Sequence, residues 1–385
     1  ITGPGGVLWG ANSFLGIINV ISKDAEDIDG VEGALGYGDG PGSAQSFRAW
    51  VLFGKAFTLP RGPRDWKLKV VQHLSYETFL PPRHSVPLTL SRSPAPLPPG
   101  PTIYGPITEG LPDRNQILNI DGRLSYGPLS LSYAYPIGVL NSTVSFGNAL
   151  AAPPVNPMTL GLTGQSIRNG ITVLDRYLTL QYRDRFLNDR LGLDAKVYGI
   201  EFYRDIQAVS ISPSILAPNG LSFSASVRSY RIGGTVDGDV TLPRNRLLFG
   251  GEAFYEWVPE ATVSFPTTEP ARLPLGCPLA PGSTYSMLSY VPGCPLTFVN
   301  GTNRAVVAAY VSDQFRPLQR LVLDGGVRVQ AGLGDRPYQG INGSPVVVLG
   351  SAAVVWNFFQ DMHLKANYAT GFRPPVFNNT DSNGA

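Results

Sequence analysis

The side chains that could do chemistry in this chain are few and scattered. The three histidines, His73, His84 and His363, lie far apart, and no two stand at metal-ligand spacing. His73 and His363 alternate with apolar neighbours, as polar residues on one face of a strand do. His84 sits beside Arg83 in a proline-rich stretch, where a haem or metal ligand is the alternative to plain surface. Glu252 and Glu256 would share a strand face and resemble an acid–base pair, but a polar strand face accounts for both. No Gly-x-Ser-x-Gly, Walker A or His-Glu-x-x-His sequence occurs. No catalytic residue, metal site or cofactor is expected, and the chain does not read as an enzyme. Cys277 and Cys294, the only cysteines, share one Pro/Gly-rich segment. Such a pair reads as a disulfide formed outside the cytoplasm, with two buried free thiols as the alternative.

Whatever positions these groups is built from an unusual composition. Of 385 residues only 15% are charged, with 44 glycines, 35 prolines and 10% aromatics. An average soluble chain carries roughly 25% charged residues. Mean hydropathy is +0.01. No run of 18 apolar residues occurs, which excludes a helical membrane span. Disorder is excluded by the 43% hydrophobic content. The formal charge of +2 speaks against a nucleic-acid partner. Two classes remain: a secreted, loop-rich β protein, and a barrel whose strands alternate lipid-facing with lumen-facing residues.

Period-2 segments dominate after about residue 30. In Leu247–Trp257, one side carries Leu247, Phe249, Ala253, Tyr255 and Trp257, and the other carries Glu252 and Glu256. Leu321, Leu323, Val327 and Val329 alternate with Asp324, Arg328 and Gln330. Leu118, Ile120, Leu124 and Tyr126 alternate with Asn119, Asp121, Arg123 and Ser125. Met362, Leu364, Ala366 and Tyr368 alternate with His363, Lys365 and Asn367. This is the signature of strands with one apolar face. Strands are expected near 31–38, 44–56, 66–79, 115–127, 129–137, 173–185, 191–205, 221–232, 245–258, 304–315, 320–331, 346–357 and 361–371. Many reach ten residues, the length that crosses a bilayer at a tilt.

The connections alternate in length. Long ones cover 80–114, 138–172, 206–220, 259–303 and 332–345. Tight ones fall at Gly127-Pro128, Phe186–Arg190, Arg316–Gln319 and Asn357–Gln360, while 57–65 and 233–244 are intermediate. Strands running up and down through a membrane, with short periplasmic turns and long outer loops, produce this rhythm. Trp50, Trp66, Trp257 and Trp356 fall in or beside expected strands, where interfacial aromatic girdles occur. Core aromatics of a sandwich are the alternative.

The N-terminal residues narrow the choice. They read Gly3-Pro4-Gly5, then Gly10-Ala11-Asn12, Phe14, Gly16 and Ile18-Asn19-Val20-Ile21, closed by Lys23. Physics alone makes this a compact β-turn-β piece. The segment resembles the end of the plug domain of TonB-dependent outer-membrane receptors, with Gly3, Pro4, Gly5, Gly10, Asn12, Gly16 and Asn19 at matching positions. Thr2 stands where that family has arginine, and Gly6 and Ser22 replace its Ser and Thr. Tyr368-Ala369-Thr370-Gly371-Phe372-Arg373-Pro374-Pro375 is similar to the family's Tyr-Ala-x-Gly-Phe-Arg-Ala-Pro, which ends a rising barrel strand.

The resemblance implies the end of a plug over residues 1–27. It also implies the first part of an all-β, transmembrane antiparallel barrel over residues 28–385, about thirteen strands of twenty-two. The chain reads as a piece of a longer protein. The implied function is energised uptake of a scarce nutrient complex, most often a ferric siderophore, across the outer membrane of a Gram-negative bacterium. The implied partners are TonB with its inner-membrane energising complex, outer-membrane lipid, and a small-molecule ligand such as a ferric chelate. Arg83, His84, Tyr104, Tyr285, Tyr290 and Arg373 are the ligand candidates, because flat aromatics and a cationic side chain on outer loops suit an anionic chelate. A passive or adhesive barrel without energy coupling is the competing reading, and a porin has nothing like residues 1–23.

Overall fold

The computed structural model describes residues 22–41, 44–59, 66–80, 115–141, 170–211, 221–264, 296–299, 301–338, 343–359 and 362–372. A single helical turn, α1 (Ala25–Ile28), precedes β1 (Gly30–Asp39), β2 (Gln45–Thr58), β3 (Lys67–Leu80), β4 (Asn115–Tyr126) and β5 (Leu129–Asn141). Next come β6 (Gly170–Phe186), β7 (Leu191–Ile211), β8 (Leu221–Thr241) and β9 (Asn245–Val258), then the short β10 (Ala261–Ser264) and β11 (Leu296–Val299). The series ends with β12 (Thr302–Leu318), β13 (Leu321–Gly334), β14 (Val346–Phe359) and β15 (Met362–Ala369). No described helix is long and apolar enough to cross a membrane, which says nothing of strands.

All thirteen expected strands are present, and each pairs antiparallel with the next, β9 joining β12 directly. This is the wall of an antiparallel β-barrel. Among the described residues β1 and β15 are its edges. The small β10–β11 pair, hung on β8, occupies part of what the sequence reads as one long loop. The rhythm of connections holds. The tight turns Gly127-Pro128, Leu187–Arg190, Leu242–Arg244 and Gln319-Arg320 lie at one end of the sheet, and the strand ends that flank 81–114, 142–169, 212–220 and 335–345 lie at the other. At the short-turn end, Gly127 adopts φ +56 under the Trp66 ring, where a Cβ would sit 2.4 Å from a ring carbon. Only glycine satisfies both demands.

β8 departs most from expectation. It continues through 233–241, a stretch whose glycines and aspartates read as a connection, so the intermediate 233–244 link shrinks to a tight turn. Its glycines are tolerated because the partner strand covers them. Gly233 stands opposite Phe254 and Gly238 opposite Phe249; the Phe249 ring lies where a Cβ on Gly238 would be, and the Phe254 Cβ and Tyr198 hydroxyl crowd the same place at Gly233. An aromatic folded over a cross-strand glycine supplies the packing that glycine lacks.

The two faces separate as the alternation requires. Val307 and Val329 point outward, 56% and 46% exposed, whereas inward Arg328 and Gln330 are 3% and 1% exposed. Outward Phe249 and Tyr255 alternate with inward Glu252 and Glu256. From Leu247 to Trp257 the outward side rises by ten residue steps, about 25 Å of height at about 3.3 Å per residue and a barrel tilt. Trp257 stacks on Tyr230 at 5.0 Å at the long-loop end of this band, and Trp356 packs on Phe358 at 5.7 Å at the other. Both fit interfacial girdles. Trp50 does not. It shares the face of Gly54, against which Ile28 packs from inside, so it belongs to the inner wall. Strand membership marks an aromatic's height; only parity marks its side.

Candidate functional site: the charged inner wall

The inner wall is a connected set of ion pairs built across strands. At its outer end Glu256 of β9 stands in register between Arg231 of β8 and Arg304 of β12. Arg231 Nη2 donates to one carboxylate oxygen at 2.6 Å, and Arg304 Nε donates to the other at 2.8 Å. Glu256 and Arg304 are both buried, so each charge depends on the other for compensation. Arg231 lies 4.5 Å over the Phe254 ring, and Arg304 lies 5.3 Å from that of Tyr338. Tyr338, from the β13–β14 connection, is folded inward over Gly332 and packs on Phe372 at 5.0 Å.

Two further links reach over an intervening strand. Arg328 of β13 donates to Glu252 of β9 at 2.6 Å, crossing β12 where Ala308 leaves room. The Tyr310 hydroxyl of β12 donates to Asp237 of β8 at 2.8 Å, passing over Gly250 of β9. A small residue on the middle strand is what allows each span. Nearer the short-turn end, Asp194 accepts from Gln181 at 2.7 Å and from Arg183 at 2.6 Å, and Arg185 reaches Asp239 at 3.2 Å. The charged groups of these links, with Tyr310, line a concavity of about 610 Å³ with mixed charge. On the β3–β4 part of the wall, His73 Nδ1 lies 2.7 Å from Asp121, an inward polar position as its alternation requires.

At the short-turn rim, α1 is fastened to the wall. Asp24 caps the helix through the Ala25 N–H and Asp27 closes the capping box. Lys69 reaches Asp24 at 2.7 Å and Glu26 at 2.9 Å, Lys67 reaches Glu26 at 2.8 Å, and Lys55 reaches Asp29 at 2.7 Å. The bond from Lys69 holds the Asp24 carboxyl below its ordinary value, and those from Lys67 and Lys69 do the same for Glu26.

Arg83, His84, Tyr104, Tyr285, Tyr290 and Arg373, the pair Cys277 and Cys294, and the motif residues Gly3, Pro4, Gly5, Gly10, Asn12, Gly16 and Asn19 are all outside the described residues. The described strand ends that flank the segments bearing the ligand candidates and cysteines lie at one end of the sheet. Among the described residues no group of three or more His, Cys, Asp or Glu could hold a metal ion. Glu252 and Glu256 were legible as the polar face of one strand, and Arg328 as part of the polar face of another. Their partners Arg231 and Arg304 were not singled out, and Tyr338 sits in a connection with no periodic signal.

Residues 112–385 match the family described as TonB dependent receptor-like, beta-barrel. No curated protein matches the chain in sequence. Solved structures with the same fold include the siderophore receptor PirA from Acinetobacter baumannii, 13% identical with a TM-score of 0.59 over 97% of this chain and 47% of that one. A mutant of the ferric enterobactin receptor PfeA from Pseudomonas aeruginosa is 14% identical, with a TM-score of 0.61 over 98% and 48%. The copper transporter OprC is 13% identical, with a TM-score of 0.57 over 98% and 50%. The chain spans about half the length of these proteins.

Proposed function

The chain belongs to the TonB-dependent receptor-like β-barrel family, and from that membership we propose that it is part of an outer-membrane receptor for energised uptake of a scarce nutrient complex, with a ferric siderophore as cargo. The observation that carries this reading is the family match over most of the barrel strands. An apolar outer band of bilayer height and an inner wall lined with paired charge support it. The names of similar structures include siderophore and ferric enterobactin receptors, and also a copper transporter. Ligand binds the outer connections, with Arg83, His84, Tyr104, Tyr285, Tyr290 and Arg373 as contacts, and Cys277 bonded to Cys294 orders the longest of them. Residues 1–27 end a plug on which TonB, energised from the inner membrane, pulls. The test is uptake of a labelled ferric chelate by cells making the full-length receptor, with and without TonB. TonB-dependent uptake that falls when 82–101 or 265–298 is deleted supports the reading. Uptake indifferent to TonB, in a correctly inserted barrel, favours a passive pore instead.

A further inference from the structure

We propose that the segment Lys23–Asp29 is a mechanical anchor, the point at which traction on the N-terminal part of the chain is stopped before it reaches the barrel. The proposal rests on the energised-receptor reading for its purpose, but its geometry stands alone. Residues 1–22 contain no Asp, Glu, Lys or Arg, so no side-chain ion pair can fasten them. The seven residues that follow carry five charged side chains, and four of these are paired with other elements. Lys23 bonds Glu32 of β1 at 2.6 Å, Asp24 and Glu26 bond Lys67 and Lys69 of β3, and Asp29 bonds Lys55 of β2.

Tension entering from the N-terminal side meets these pairs before it meets β1, which begins at Gly30. A four-residue helix has no stability of its own. Here it is held by apolar contacts as well as by charge. Ala25 is fully buried, and Ile28 fills the space over Gly54, where a Cβ would lie 2.6 Å from the Ile28 side chain. The fastening spreads over three neighbouring strands, so load is shared among several contacts rather than passed to one. Each exposed pair is weak alone. Their number, their shared helix and the packed Ile28 make the segment a step in resistance between an uncharged tract and the barrel.

The experiment pulls the N-terminus of the full-length receptor, inserted in a lipid bilayer, by single-molecule force spectroscopy. Wild type should show a distinct force step where the extended chain ends at Lys23. Asp24→Asn/Glu26→Gln leaves the barrel strands unaltered and should lower or remove that step. Where the step is removed altogether, the stop moves to Gly30, seven residues on and about 24 Å of contour. Lys67→Glu/Lys69→Glu should act alike, and adding Asp24→Lys/Glu26→Lys should restore the step. Extension running to Gly30 without a step at Lys23, or a step unchanged by the neutral variant, overturns the anchor. Because the instrument supplies the force, this result is independent of TonB. Failure of the uptake reading would instead appear as absent ferric-chelate uptake with the step intact.

Discussion

On β9, the outward Phe249 and Tyr255 are 39% and 42% exposed, while the inward Glu256, next in the chain to Tyr255, is 6% exposed. One backbone thus presents apolar side chains to the outside and buries a carboxylate within. In water the outward face would be a liability, since large contiguous apolar surface marks an interaction site. Against lipid it is the face in its proper solvent. The inward face follows the opposite rule. There, charge is buried only where register delivers a counter-charge, as Arg231 and Arg304 flank Glu256. The outward face needs only the right residue type at each position. The inward face needs the right neighbour.

Breaking the inward face should have the largest effect. Glu256→Ala leaves Arg304 buried without its acid, and loss of one partner of such a pair costs about 3–5 kcal/mol. A urea titration of the full-length receptor refolded in lipid measures it, and a variant as stable as wild type would show that the inner wall does not depend on pairing. On the outward face, Val307→Arg near the middle of the apolar band should cost about 2–4 kcal/mol. The inward control, His73→Arg opposite Asp121, should change stability by no more than about 1 kcal/mol. Equal tolerance of both would remove the lipid assignment.

Two adjacent glycines sharpen the contrast at smaller scale. A Cβ on inward Gly250 would stand 2.7 Å from the Tyr310 ring and 2.6 Å from the Asp237 carboxylate, whereas one on outward Gly251 meets only a backbone oxygen at 3.4 Å. Gly250→Ala should therefore cost about 1–3 kcal/mol by overpacking. Gly251→Ala should be neutral or stabilising by about 0.5 kcal/mol in the same titration.

The smallest effect concerns the rim. The carboxyls of Asp24 and Glu26 are held below their ordinary values of 3.8 and 4.5, so their contribution is complete above those values. It is lost as pH falls through the lowered ones. Hydrogen exchange at the Asp29 amide, which bonds the Ala25 carbonyl, corrected for the intrinsic rate at each pH in the full-length receptor, should stay slow down to pH 5. Protection should be lost only below the ordinary carboxylate values, and earlier in high salt, which screens exposed pairs. Protection lost between pH 7 and pH 5 would point to a group other than these carboxylates.

Much of this fold was legible because a strand's alternation is a local property. Leu321–Val329 against Asp324–Gln330 and Leu247–Trp257 against Glu252 and Glu256 declared both the strand and its two faces. Ten-residue lengths and alternating connections then declared the direction of each crossing. Where the local signal misled, a neighbour was responsible. Gly233 and Gly238 read as turn residues, yet Phe254 and Phe249 on β9 make them strand. Trp50 read as a girdle aromatic, yet its pairing with Ser75 puts it inside.

Thirteen amphipathic strands of bilayer-crossing length, and which side chains share a face on each, could be read from the residues alone, because period-2 alternation needs nothing beyond the strand that shows it. The assembled sheet sets the rest: Arg328 crosses β12 to Glu252, Tyr310 crosses β9 to Asp237, and the segment Lys23–Asp29 is fastened to three strands. The physical reason is register. A cross-strand partner is set by how far each strand is staggered against the next, and that offset is fixed by the packing of the whole sheet rather than written in any one strand.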